Sequence, residues 1–223
     1  MPEKRTALVT GASSGIGREI ARQLAEQGWH VRAVARSTAA LEELAADCPG
    51  VEAYEADLTR FPHPDLMPER LDALVHAAGM IPPGSVEHAT HEDWSYAFAL
   101  NVTAGAELVR EGLDLLRRSQ GTVVFLNSGA GVTPLPRNTL YGATKHALRA
   151  LANGLRHQEQ DNGVRVTSVF PGPTDTPMFT GDVERSELIQ PSTVARAVVE
   201  AITASPDTQL TEIQVRPRKE LSW

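Results

Sequence analysis

The stretch "TALVTGASSGIG", residues 6–17, decides how the chain folds. Its first half is an unbroken apolar and β-branched run, the composition of a strand buried on both faces. Its second half puts glycines at 11, 15 and 17, and "GREIARQLAEQG" (17–28) follows at once with apolar residues at helical spacing. Gly28 stands where a C-terminal cap belongs. A strand that turns through glycines into a helix leaves the first N–H groups of that helix aimed outward, with the positive end of its dipole behind them. A pyrophosphate fits such a turn, because glycine lets the backbone approach it. Gly11, Ser13, Ser14, Gly15, Ile16 and Gly17 are the candidate contacts. The spacing G-x-x-x-G-x-G departs from the G-x-G-x-x-G dinucleotide fingerprint, so the argument rests on its place between strand and helix.

The rest of the chain repeats the alternation. Strands are expected at 30–35, 51–56, 71–77, 122–128, 164–170 and 211–216, and helices at roughly 91–118, 139–160 and 191–203, with Gly163 as a second cap. This is the pattern of a parallel sheet covered by helices. One connection differs: "LTRFPHPDLMPERL" (58–71) carries three prolines and is expected to be irregular, with one short helical turn.

With 223 residues, 41% hydrophobic and 22% charged, the chain has ordinary globular composition and is read as one domain, residues 1–223. A net charge of -7 and a pI near 5.5 argue against a broad basic surface for nucleic acid or anionic membrane. Cys48 is the single cysteine, which suits a reducing compartment; it reads as a small buried hydrophobe. The start "MPEKRTALVTGA" lacks the apolar core of a signal peptide, and no run approaches the ~18 apolar residues of a membrane span. A cytoplasmic protein is expected.

The second strand ends in "AVARS", placing Arg36 where the ribose of a bound dinucleotide lies. An acidic residue there accepts from a 2′-hydroxyl, whereas arginine offers a planar set of donors to a 2′-phosphate. The choice points to NADP(H). A charge-assisted bond contributes about 1.5–3 kcal/mol, a preference of roughly ten- to a hundred-fold. Asp57 and Leu58 follow the third strand at the same edge and border the adenine; Asp57 reads equally as a cap of its own loop.

Residues 140–147 read "LYGATKHA", with Tyr141 and Lys145 four apart and therefore on one helix face. An ordinary tyrosine titrates near pH 10, and a cation within ~4–6 Å favours the phenolate. Gly142, Ala143 and Thr144 leave room for ligands beside the pair. Ser128, in "NSGAG" (127–131), stands thirteen residues before Tyr141, and "HAAG" (76–79) and Asn101 belong to the same sheet edge.

T-G-x-x-x-G-x-G, the asparagine, the serine, Y-x-x-x-K and a following P-G occur in the order and spacing of the short-chain dehydrogenases/reductases. The chain resembles the compact, single-domain branch of that family over nearly its whole length. The resemblance implies an α/β, doubly wound Rossmann fold, with a seven-stranded, mainly parallel sheet in the order 3-2-1-4-5-6-7 and helices on both faces. It implies that Tyr141 is the catalytic acid/base and that Lys145 holds the nicotinamide ribose and lowers the tyrosine pKa. Ser128 would bind the substrate oxygen, and Asn101 would support a water leading to bulk. Ala78 would touch the cofactor, and "PGPTDTPM" (171–178) resembles the segment that holds the nicotinamide carboxamide, through Pro171, Gly172, Thr174 and Thr176. The implied reaction interconverts a carbonyl, aldehyde or ketone, and an alcohol on a small, largely apolar substrate. Met80, Ile81, Val132, Leu135, Met178 and Phe179 would wall its pocket, and residues 177–190 would form a lid. Pairing of the helices at 91–118 and 139–160 across a two-fold axis would give a homodimer or homotetramer.

Some features depart from the family. "HAAG" stands where "NNAG" is common, so His76 and Ala77 replace two asparagines that brace the sheet. His76 reads as a satisfied strand-end histidine rather than a proton carrier. In "HATHED" (88–93), Thr90 with Asp93 reads as a helix N-cap, and His88 and His91 are not taken as metal ligands; no metal is expected. Two other classes stay open. One is a noncatalytic NADP(H)-binding sensor or scaffold. The other is a nucleotide-sugar epimerase, for which the fifty-odd residues after Pro171 leave little room.

Overall fold

Ala7 and Val9 of the first strand, β1 (Thr6–Thr10), pack to one side of a sheet and Leu8 to the other, and all three are fully buried. Double burial explains the unbroken apolar run and requires helices on both faces. In the computed structural model, which describes residues 4–219, they are there. β2 (His30–Ala35), β3 (Val51–Glu55), β4 (Ala73–His76), β5 (Thr122–Leu126), β6 (Arg165–Pro171) and β7 (Glu212–Val215) complete one sheet in the order β3-β2-β1-β4-β5-β6-β7. Every pairing is parallel.

Helices α1 (Gly15–Glu26), α2 (Thr38–Asp47) and α6 (Pro191–Thr203) contribute Ile20, Leu24, Leu41, Leu44, Val194 and Val198 to one core layer. Helices α4 (Ala104–Ser119) and α5 (Thr139–Glu159) contribute Leu108, Leu116, Leu148 and Leu155 to the other, against Leu8, Leu74 and Phe125. Each such side chain is worth about 1.5–3 kcal/mol of burial. Cys48 is buried in the first layer, as its apolar reading requires. The chain winds outward from β1 to β3 and then returns to β4. That reversal opens a crevice at the carboxyl ends of β1 and β4, where such sheets bind ligands.

Three local features refine the sequence reading. The pattern did not announce α2, whose apolar residues include alanines on several sides and of which only Leu41 and Leu44 are buried. The proline-rich link holds a single 3₁₀ turn, Pro64–Leu66. The helix expected over 91–118 is interrupted: α3 (His91–Phe98) passes through a π-helical turn, Ala99–Thr103, before α4, and the Ala104 N–H reaches back five residues to the Ala99 carbonyl. Thr90 and Asp93 form a reciprocal capping box at the start of α3. Gly28 closes α1 with φ +84°.

Candidate active site

The glycine turn folds tightly onto the end of β4. Gly11 has φ +67°, and a Cβ there would lie 2.8 Å from both the Ala77 oxygen and the Ala78 nitrogen. A Cβ at Gly17 would overlap the Gly11 carbonyl oxygen. Thr10 Oγ1 accepts the N–H groups of Ala77 at 3.1 Å and Ala78 at 3.0 Å, tying the turn to that strand. Ser14 precedes α1 in extended conformation and makes no side-chain cap bond. The first turn of α1 therefore faces a cleft of about 290 Å³ lined by Gly11, Ser13, Ser14, Gly15, Ile16 and Gly17.

Arg36, Asp57, Leu58 and Ala78 line the same cleft, as the sequence predicts. Asp57 Oδ1 accepts from the Thr59 N–H at 3.1 Å and from its hydroxyl at 2.7 Å. These bonds hold the carboxyl below its usual range, with Arg60 and Arg36 adding to the effect. Asp57 thus caps its own loop and also lines the cleft. Tyr96 and Leu100 also line the cleft, and Arg36 Nη1 donates to the Tyr96 hydroxyl at 3.2 Å. Neither residue was legible beforehand, because α3 and the π-helical turn that follows it reach the cleft only in three dimensions. A cradle that side chains would fill and an open helix start suit the pyrophosphate of a dinucleotide, with Arg36 on the same cleft.

A second cavity of about 540 Å³ adjoins the first, sharing Ile16, Ala77, Gly79, Leu126, Thr176 and Met178. Ser128, Tyr141 and Lys145 line it. Tyr141 is 9% exposed and Lys145 5%. Asn138 fixes the start of α5, its Oδ1 accepting the Tyr141 N–H at 3.0 Å while its Nδ2 donates to the Pro82 oxygen at 2.7 Å. Asn127 was missed in the sequence although it adjoins Ser128. Its Oδ1 accepts the Ser128 N–H at 2.9 Å and its Nδ2 donates to the Lys145 carbonyl at 3.1 Å, setting strand end and helix in register.

The electrostatics differ from the expected tuning of tyrosine by lysine. Lys145 Nζ donates to the Leu126 oxygen at 2.9 Å and stands 5.7 Å from the Tyr141 ring centroid. Burial pushes the Tyr141 hydroxyl above its ordinary value, and its hydrogen bond with Ser128 pulls the other way. Burial also lowers Lys145 to about 8. Desolvation dominates both shifts, because both groups are enclosed, and the lysine already serves a backbone carbonyl.

Asn101 lies in the π-helical turn, fully buried. Its Oδ1 accepts the Met80 N–H at 2.8 Å, and its Nδ2 donates to the Met80 oxygen at 3.0 Å and to Thr144 Oγ1 at 3.1 Å. Both amide hydrogens are committed to clamping the β4–α3 loop onto α5. Thr144 completes the clamp by donating to the Tyr141 carbonyl at 2.8 Å.

His76 is buried beside the main chain of Leu100 and Asn101, which favours its charged form. Its Nδ1 is 3.3 Å from Thr10 Oγ1, and Nε2 has no hydrogen-bond partner among the described residues. Burial, then the Lys145 charge, push it down to about 4, so it is neutral at physiological pH. Pro171, Gly172 and Thr174 line the second cavity, while Thr176 lines both. Met80, Ile81, Leu135, Met178 and Phe179 wall the second cavity as expected, but Thr133 takes the place assigned to Val132.

A family model described as short chain dehydrogenase matches residues 5–187. The chain is 32% identical over 225 residues to an uncharacterized oxidoreductase of Staphylococcus epidermidis, covering 96% of this chain and 98% of that protein. Its fold superposes with a TM-score of 0.87 on an alcohol dehydrogenase from the archaeon Thermococcus sibiricus complexed with 5-hydroxy-NADP, at 25% identity, covering 99% of this chain and all of that one. A short-chain dehydrogenase from Sphingobium yanoikuyae in complex with NADPH gives 0.83 at 28% identity, covering 94% of this chain and 87% of that one.

Proposed function

The chain belongs to the short-chain dehydrogenase family, and on that premise we propose an NADP(H)-dependent oxidoreductase that interconverts a carbonyl, aldehyde or ketone, and an alcohol. One observation carries the reading: Ser128, Tyr141 and Lys145 meet in a largely apolar cavity that opens onto the glycine-turn cleft. Arg36 on that cleft supports the 2′-phosphate, and hence NADP(H) over NAD(H). Similar proteins have been solved with NADPH, with an NADP derivative and with NADH, so the choice rests on Arg36.

The open first turn of α1 holds the pyrophosphate, Asp57 and Leu58 border the adenine, and Pro171, Gly172, Thr174 and Thr176 meet the nicotinamide side. The bound dinucleotide supplies or takes up a hydride. Ser128 donates a hydrogen bond to the substrate oxygen as charge develops on it, and Tyr141 gives that oxygen its proton. The Lys145 charge favours the phenolate that remains. Asn101 keeps Met80 and α5 in place and, as the family resemblance implies, supports a water on the proton's way to bulk.

Residues 177–190 serve as the lid of the single domain, and α4 with α5 forms the contact of a homodimer or homotetramer. A lone buried cysteine accords with a cytoplasmic setting. Among the described residues no helix is long and apolar enough to cross a membrane.

The test is loss of nicotinamide absorbance from NADPH and, separately, NADH, against a panel of aldehydes, ketones and quinones. Turnover faster with NADPH is expected. Tight NADPH binding without turnover of any member would instead identify a cofactor-binding sensor.

A further inference from the structure

The cavity that holds Tyr141 has apolar walls, yet its charged lining is of one sign. Arg137, Arg216 and Lys145 face it, and among the described residues no Asp or Glu does. In a chain with 28 Asp and Glu against 21 Lys and Arg, a lining of cations alone runs against composition. Lys145 is buried and bonded to a carbonyl, so it belongs to the reacting end. The two arginines stand at the exposed rim.

Each arginine has a fixed base. Arg137 immediately precedes Asn138, which is anchored to the Pro82 oxygen and caps α5. Arg216 follows β7, and its Nη1 lies 3.3 Å from where a Cβ at Gly129 would stand, one residue from Ser128. A guanidinium passing over that glycine holds its charge close to where the substrate oxygen is bound. Guanidinium forks match a carboxylate in geometry as well as charge, and the amino end of α5 adds a favourable dipole.

We infer that the substrate is an oxo acid, or the matching hydroxy acid: its apolar body fills the cavity and its carboxylate is held at the rim by Arg216 and Arg137. This rests on the reading of the cavity as the carbonyl site and names the substrate class within it.

The test compares kcat/KM with NADPH for matched pairs of aliphatic and aryl 3-oxo acids and their methyl esters, in the native protein, Arg137→Gln, Arg216→Gln and the double variant. NADPH binding is measured alongside to verify that each variant is folded. The acid-to-ester ratio should exceed roughly ten in the native protein and fall about ten- to a hundred-fold in the double variant. Arg137→Lys should keep part of the preference, since charge survives where the fork is lost. A native ratio at or below one, or a ratio unmoved in the double variant, overturns the inference while leaving the oxidoreductase reading standing. Failure to turn over acids, esters and every member of the wider carbonyl panel overturns that reading instead.

Discussion

Lys145 is the residue where burial and charge oppose each other most directly. Its ordinary value of 10.5 falls to about 8 in the fold. Between those values the folded chain holds fewer protons than the unfolded one, so stability rises with pH across that window. The cost of burying the ammonium is full below pH 8 and is relieved as pH approaches 10.5. Relative to the native protein, Lys145→Met should therefore gain about 3 kcal/mol at pH 7 over its value at high pH, on top of a pH-independent loss of the bond to the Leu126 carbonyl. Urea unfolding across pH measures this, and a gap independent of pH would contradict it. Arg36 is a simpler case, an exposed cation on the glycine-turn cleft that is proposed to meet a 2′-phosphate. Arg36→Asp should lower the NADPH-to-NADH ratio of kcat/KM by roughly ten- to a hundred-fold, and an unchanged ratio would remove its assigned role. The spacing of Tyr141 and Lys145 was legible in sequence because one helix carries both. Their protonation was not, because the enclosing atoms and the Leu126 carbonyl come from other elements. Asn127 and Thr10 escaped notice, and Thr144 reads in sequence only as a small neighbour of the pair, for the same reason: their partners lie on neighbouring strands, loops or helices.

At the scale of elements, the glycine turn and α5 make contrasting predictions from one residue type. Gly17 packs against the Gly11 carbonyl, so Gly17→Ala forces the backbone apart and should cost about 1–3 kcal/mol together with NADPH affinity. Gly154 is exposed within α5, with nothing within 4 Å of a built Cβ. Gly154→Ala should stabilise the single chain by about 0.5–1 kcal/mol through helix propensity. Thermal and urea unfolding of both variants, with a binding titration for the first, check the pair; equal effects would contradict the packing described. The strand–turn–helix order was readable because each element announces itself locally. The π-helical turn at 99–103 was not, since the stretch remains helical throughout and the inserted residue leaves no periodic signature. It nonetheless places Asn101 where its amide meets both Met80 and Thr144.

For the whole molecule, alternating strands and helices with right-handed crossovers leave few sheet orders open, and the shortened link over 58–71 does not disturb the one adopted. Long-range ion pairing was invisible until the chain folded. Glu159, at the end of α5, is fully buried and receives both Nε and Nη2 of Arg117 at 2.8 Å. That guanidinium, helped by Gln158 and Asn162, lowers the carboxyl from 4.5 to about 2. The pair therefore contributes above pH 4.5, and its contribution is lost as pH falls toward 2. Glu159→Gln should cost about 2 kcal/mol at pH 7 and flatten acid unfolding over that window; an unchanged acid profile would contradict the assignment. The central claim, that a buried phenol beside a cationic helix partner passes the proton, is tested most directly by Tyr141→Phe. NADPH affinity and turnover of one carbonyl reduced by the native protein are to be measured on the same preparation. NADPH binding close to native with turnover down by at least about a hundred-fold is the predicted result; turnover near the native rate would contradict it.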